Sequence, residues 1–168
     1  MDESKTMKNL GEGFAGESMA NRKYLAFAQQ AEAEGFHRVA VLFRATAEAE
    51  TIHALAHFKA MGKLKDTPAN LQAAIDGETY EFTKMYPDFL VDAEAENNAA
   101  AIRSFKLAKA AEEVHAELYE KALKNLEGEK AKAARFFLCP VCGHIAEDEA
   151  PEACPICGAK KSAYKLYE

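Results

Sequence analysis

The tetrapeptides Glu50-Thr51-Ile52-His53 and Glu112-Glu113-Val114-His115 repeat one pattern, Glu-x-x-His, 62 residues apart, each midway along a stretch of helical character. Residues three apart share a helix face. Each copy therefore aims a carboxylate and an imidazole at one point. Two copies, with a Glu from each of two further helices, build a carboxylate-bridged two-metal site inside a four-helix bundle. Glu17 lies 33 residues before Glu50, while Glu78 and Glu81 lie 34 and 31 residues before Glu112. The spacing pairs Glu78 with Glu17, and Glu81, matched only by Ala20, is a surplus ligand. Unpaired ionised carboxylates are too costly to bury together, so the cluster implies cations. An oxygen-rich, nitrogen-poor donor set suits iron or manganese better than zinc, although zinc can enter such a site during expression.

Helical signals dominate residues 1–127. A first helix is expected from near Ser4 or Thr6 to Gly35, and a second from about Phe36 to Met61, stopped by Gly62. Thr67 followed by Pro68 reads as an N-cap with proline in the first turn. The third helix then passes Pro87, which should kink it, and ends near Asn97. A fourth runs from about Asn98 to Glu127, ending at Gly128. Phe14, Phe27, Phe43 and Phe105 are expected in the core. Tyr24, seven residues after Glu17, can hydrogen-bond a ligand carboxylate or simply pack, His57 reads as a core or partly exposed histidine, and His37 and His144 have no partner pattern.

In a two-metal bundle of this kind the second and third helices run parallel, so their connection must travel back along the bundle. A second helix of about 26 residues spans roughly 39 Å, whereas Gly62 to Thr67, even with a frayed residue at each end, reaches about 28 Å. The expectation is a domain-swapped dimer in which two helices of one chain pair with two of another, giving composite sites.

All four cysteines fall in Cys139-Pro140-Val141-Cys142-Gly143 and Cys154-Pro155-Ile156-Cys157-Gly158. Two such knuckles are the signature of one tetrahedral four-thiolate metal site, with zinc and iron both admissible. The terminal piece, residues 135–168, is too small to fold readily without such a metal. Residues 1–128 are read as the bundle and 129–134 as a linker. The chain's 168 residues carry a net charge of −6, with acids and bases mixed along the helices and no basic block, which argues against a nucleic-acid partner. No apolar run suffices for a bilayer span, and Met1-Asp2-Glu3-Ser4-Lys5 does not open a signal peptide, so a cytoplasmic location is expected.

Taken together, Ala15-Gly16-Glu17-Ser18, Glu50-x-x-His53, Gly77-Glu78-x-x-Glu81-x-Thr83-x-Met85-Tyr86-Pro87, Glu112-x-x-His115 and the terminal knuckles closely resemble the rubrerythrins over essentially the whole chain. The resemblance implies a ferritin-like di-iron bundle fused to a rubredoxin-like iron domain, acting as a cytosolic peroxidase that reduces hydrogen peroxide to water. It implies that Glu50 and Glu112 bridge the two irons, that Glu17 and Glu81 bind one, and that Glu78 and His115 bind the other. On reduction His53 would replace Glu81, while Tyr24 and Tyr86 would hydrogen-bond around the site. A third iron, in Cys139, Cys142, Cys154 and Cys157, would return electrons singly, its donor a rubredoxin or an NAD(P)H-dependent rubredoxin reductase, since the chain has no Gly-x-Gly-x-x-Gly of its own. The linker is not expected to bring Cys139 to Cys157 near their own chain's bundle site, so delivery between subunits is expected. A ferroxidase or iron-handling protein is the alternative.

Overall fold

The computed structural model describes residues 4–130 and 134–168. It divides into two compact units, one ending at Lys65 and the other beginning at Asp66.

The first unit is a helical hairpin of α1 (Lys5–Ala33) and α2 (His37–Ala60). Ser4 caps α1 by accepting from the Met7 N–H at 3.2 Å. The seam is made of small residues: Ala28 and Ala31 on α1, and Ala40, Ala47 and Ala54 on α2, all buried. Those three α2 alanines recur every seven residues, the period that keeps one face against a neighbouring helix. Alanine lets the backbones approach, and Asn21 exploits this by donating from Nδ2 to the Ala47 carbonyl at 2.7 Å and to Thr51 Oγ1 at 2.8 Å. A two-helix seam cannot cover large side chains. Leu42 is therefore 64% exposed, and Phe27, expected in the core, is 46% exposed. Phe14 does pack, its ring centroid 5.2 Å from that of Phe58.

The second unit contains α3 (Thr67–Tyr80), a π-helical turn (Glu81–Met85), α4 (Tyr86–Ala95), α5 (Ala99–Lys124) and the short α6 (Leu126–Glu129). The cap of α3 is Asp66, one residue earlier than expected, accepting from the Ala69 N–H at 3.1 Å. The expected single third helix is two α segments joined by a π turn. Pro87 has no N–H to give to the helical ladder, and the backbone widens just before it, with the Tyr86 N–H donating to the Glu81 carbonyl five residues back. Both α3 and α4 pack on α5. Asn125, not Gly128, ends α5, and Gly128 lies within α6. Glu129 closes α6, while residues 131–133 of the expected linker lie outside the described residues.

The C-terminal part is a three-stranded antiparallel sheet of β1 (Phe136–Leu138), β2 (Ile145–Glu147) and β3 (Lys165–Tyr167) in the order β2-β1-β3. Leu138 is paired with Ile145 on one side and with Lys165 on the other. Cys139, Cys142 and Cys154 are its buried centre, packed by Ile156, Tyr164 and, from α5, Leu107. Among the described residues, no helix is long and apolar enough to cross a membrane.

Candidate metal centres

Three groups of ligand atoms form, the atoms within each group lying within 4.8 Å of one another: Glu17, Glu50 and His53 on the hairpin; Glu78, Glu112 and His115 on α3 and α5; and the four cysteines. The first follows from the i,i+3 step on α2, which sets His53 Nδ1 3.0 Å from Glu50 Oε2, with Glu17 supplied by the partner helix. Its histidine stands 56% exposed. Leu42 and Val39 precede His53 at helical spacing on the same face, so the group sits on the side of the hairpin that keeps uncovered apolar surface. Tyr24 stacks against Phe43, centroids 6.1 Å apart, and contacts Phe27. His57 is half-buried, its ring against Gly13 of α1.

The second group is more enclosed. His115 Nδ1 lies 2.7 Å from Glu112 Oε2 and 4.0 Å from Glu78 Oε1. Burial, followed by the Glu112 charge, pushes the Glu78 carboxyl above its usual range. Glu81, the first residue of the π turn, belongs to neither tight group among the described residues, yet burial and then Glu78 raise its carboxyl as well. Tyr86 completes the surroundings. Its ring packs on Phe105, centroids 6.1 Å apart, and burial together with Glu112, Glu81 and Glu78 holds its phenol protonated.

His115 carries a contact that the sequence did not reveal: its Nε2 lies 2.9 Å from the carbonyl oxygen of Gly143, in the first cysteine knuckle. A carbonyl only accepts, so Nε2 bears the hydrogen, which leaves Nδ1 as the nitrogen that can offer a lone pair to a cation held with the two carboxylates. A lone pair facing two anionic groups is an arrangement for a cation, and donation by the far ring nitrogen to a carbonyl is the usual support of a metal-bound histidine. The donor set fits iron. The expectation that the cysteines lie away from their own chain's bundle site is not met: Gly143 bonds His115 and packs on α5, 3.7 Å separating Ala111 Cβ from the place a Gly143 Cβ would occupy.

The four cysteines follow the knuckle rule. The Gly143 N–H donates to the Cys139 carbonyl at 3.0 Å and the Gly158 N–H to the Cys154 carbonyl at 2.9 Å. Both glycines have left-handed backbones, φ 86° and 76°, which side chains resist. Cys139 and Cys157 Sγ lie 3.6 Å apart, and Cys142 and Cys154 Sγ 3.5 Å apart, separations at which four thiolates can close on one ion. Burial alone would raise the Cys154 thiol, but the Tyr164 hydroxyl and the N–H groups of Cys157 and Ile156 hold it down to about 6. His37 and His144 do find partners, Glu32 at 2.5 Å and the Tyr164 hydroxyl at 2.9 Å.

Residues 8–123 match the family model described as rubrerythrin, and residues 137–165 the model of the rubrerythrin rubredoxin-like domain. The chain is 40% identical to nigerythrin of Nitratidesulfovibrio vulgaris over 96% of its own length and 86% of that protein. It is 35% identical to rubrerythrin-2 of Clostridium acetobutylicum over 94% of each. Among solved structures it is similar to nigerythrin in a partially reduced state, with a TM-score of 0.60 and 36% identity over 99% of this chain and 88% of that one. A further nigerythrin structure is described as fully reduced and all ferrous. With two carboxylate–histidine groups and a four-cysteine knuckle pair in those matched regions, the chain belongs to the rubrerythrin family, with a di-iron ferritin-like part and a rubredoxin-like part.

Proposed function

We propose that this protein is a non-haem di-iron peroxidase of the cytoplasm that reduces hydrogen peroxide to water, drawing its electrons through its own four-cysteine iron. The observation that carries the reading is the hydrogen bond between His115 and Gly143, which joins the carboxylate–histidine cluster to the cysteine knuckle through one imidazole and one peptide unit. A storage protein has no use for such a junction. Iron, when bound, supplies the one-electron steps that together furnish the two electrons needed, with two protons, to turn peroxide into two waters.

The residues divide the work. Glu17, Glu50 and His53 would hold one side of the di-iron centre and Glu78, Glu112 and His115 the other, with Glu50 and Glu112 as the carboxylates available to both irons. Glu81, the surplus carboxylate, and His53 would serve as alternative ligands to one iron. Tyr86, kept protonated by its surroundings, offers an O–H to a ligand carboxylate or to the incoming peroxide, and Tyr24 is assigned the matching role on the hairpin. Residues 1–128 form the di-iron part, 129–134 the linker and 135–168 the electron-relay part. A rubredoxin or an NAD(P)H-dependent rubredoxin reductase supplies the electrons.

The two halves of the centre are assigned to different chains of a domain-swapped homodimer. Chain length supports this: α2, with 24 residues, is about 36 Å long, and the six residues from Met61 to Asp66 extend to about 22 Å. The uncovered Val39, Leu42 and His53 face of the hairpin supports it too, since a second helical pair would bury that surface. Metal analysis and an absorption spectrum of protein purified without oxygen test the reading. Iron in both centres and a red ferric four-cysteine band are expected; zinc in the cysteines with no visible band would overturn it.

A further inference from the structure

We propose that Tyr164, oriented by His144, donates a hydrogen bond to the Cys154 sulfur and thereby raises the reduction potential of the four-cysteine iron. The inference rests on the iron-relay reading and adds a residue pair to it.

His144 is 93% buried, at 7% exposure, immediately after the first knuckle. Its Nδ1 lies 2.9 Å from the Tyr164 hydroxyl, and the two rings meet edge to face at 89° with centroids 6.1 Å apart. Tyr164 in turn packs directly on the cluster of Cys139, Cys142 and Cys154, and its hydroxyl is among the groups that hold the Cys154 thiol down. The phenol has one hydrogen to give and oxygen lone pairs to receive with. A metal-bound thiolate can only accept. The hydrogen therefore goes to sulfur, and the phenol oxygen accepts from His144 Nδ1–H.

His144 is fixed for this task from its other side, because its own carbonyl accepts from the Cys139 N–H at 2.8 Å. The chain His144 to Tyr164 to Cys154 thus runs in one direction, each donor polarising the next. Reduction adds negative charge to the iron and its sulfurs. A donor aimed at sulfur stabilises that more negative form, and hydrogen bonds to sulfur are among the levers that set such potentials. Tyr164 touches a ligand atom; His144 is a positioning residue that acts through it.

The test uses the full-length, iron-loaded protein. The four-cysteine potential is titrated through its visible band, and the iron–sulfur stretches are recorded by resonance Raman in H2O and D2O. Tyr164→Phe is expected to keep the ferric band, to shift the midpoint to a more negative potential and to lose part of the deuterium shift. His144→Phe is expected to shift the midpoint in the same direction by less, and to add nothing in the Tyr164→Phe background. An unchanged midpoint in Tyr164→Phe, or additive shifts in the double variant, would overturn the proposal. If Tyr164→Phe does not retain iron, an unchanged midpoint in His144→Phe decides against it. A wild-type cysteine site lacking the ferric band would contradict the relay reading itself before any variant is compared.

Discussion

His115 Nε2 and the carbonyl oxygen of Gly143 are 2.9 Å apart, so the imidazole that faces Glu112 is held by the peptide that follows Cys142. One hydrogen bond spans the two kinds of centre. Gly143 can serve here because its φ of 86° turns the backbone around the knuckle and because no side chain separates it from Ala111 on α5. Gly143→Ala should cost about 1–2 kcal/mol for the left-handed conformation; its Cβ would meet Ala111 Cβ at an ordinary 3.7 Å, so the carbonyl is disturbed only as the strained backbone relaxes. The expected result is a modest loss in thermal melting with slower oxidation of the cysteine iron after peroxide is added, and both metal centres still filled. Unchanged electron transfer would remove the carbonyl from the route.

The acid-base behaviour of the metal-free protein follows from Glu78 and Glu81. Both carboxyls are raised by burial first and by a neighbouring carboxylate second. A carboxyl whose folded-state pKa exceeds its unfolded value stabilises the fold while protonated, and that contribution is lost as pH rises through the folded value. Metal-free protein should therefore melt at a higher temperature when the pH is lowered from about 7 to about 5. With metal bound the trend should reverse, because protons compete with the cation for the same oxygens. Paired melting curves, with and without chelator, check the sign.

Glu81 stands outside the tight Glu78, Glu112 and His115 group among the described residues. Glu81→Ala should accordingly spare iron content while reducing peroxide turnover on the order of 10–100-fold, the usual cost of removing a supporting group at a metal site. Loss of iron in parallel with activity would make Glu81 an ordinary structural ligand.

The sharing of a centre between chains can be decided by complementation. Glu50→Ala and Glu112→Ala should each be inactive alone. Co-expressed, they form a mixed dimer in which, if the halves are exchanged, one site carries both substitutions and the other carries none. Recovery of activity in the purified mixed dimer is expected; a mixed dimer as inactive as its parents would place all the ligands of a site in one chain.

The parts that were legible in the sequence are those fixed by local geometry. Glu50 and His53 meet because they are one helical step apart, and the cysteine knuckles close because Gly143 and Gly158 follow them directly. The helix start near Ser4 and Pro87 as a disturbance are equally local, although the backbone answered Pro87 with a π turn beginning at Glu81. Contacts between distant segments were not legible. His115 and Gly143 are 28 residues apart, and Asn21 reaches Thr51 across 30. Phe27 was misjudged for the opposite reason: its helical face looks like core, but the hairpin offers only an alanine seam to bury it. Gly128 reads as a helix stop in the sequence, yet Asn125, with φ −121° and ψ 35°, breaks the helix three residues sooner.

The most direct test mixes fully reduced, iron-replete protein with hydrogen peroxide or with an equal concentration of dioxygen in an anaerobic stopped-flow instrument. The band of the four-cysteine iron is followed in both wild type and Glu112→Ala. The peroxidase account expects faster oxidation by peroxide than by dioxygen, and a cysteine band that appears in wild type but not in Glu112→Ala on the same time scale. Faster oxidation by dioxygen, or a cysteine band that grows equally fast without a working di-iron centre, would contradict it.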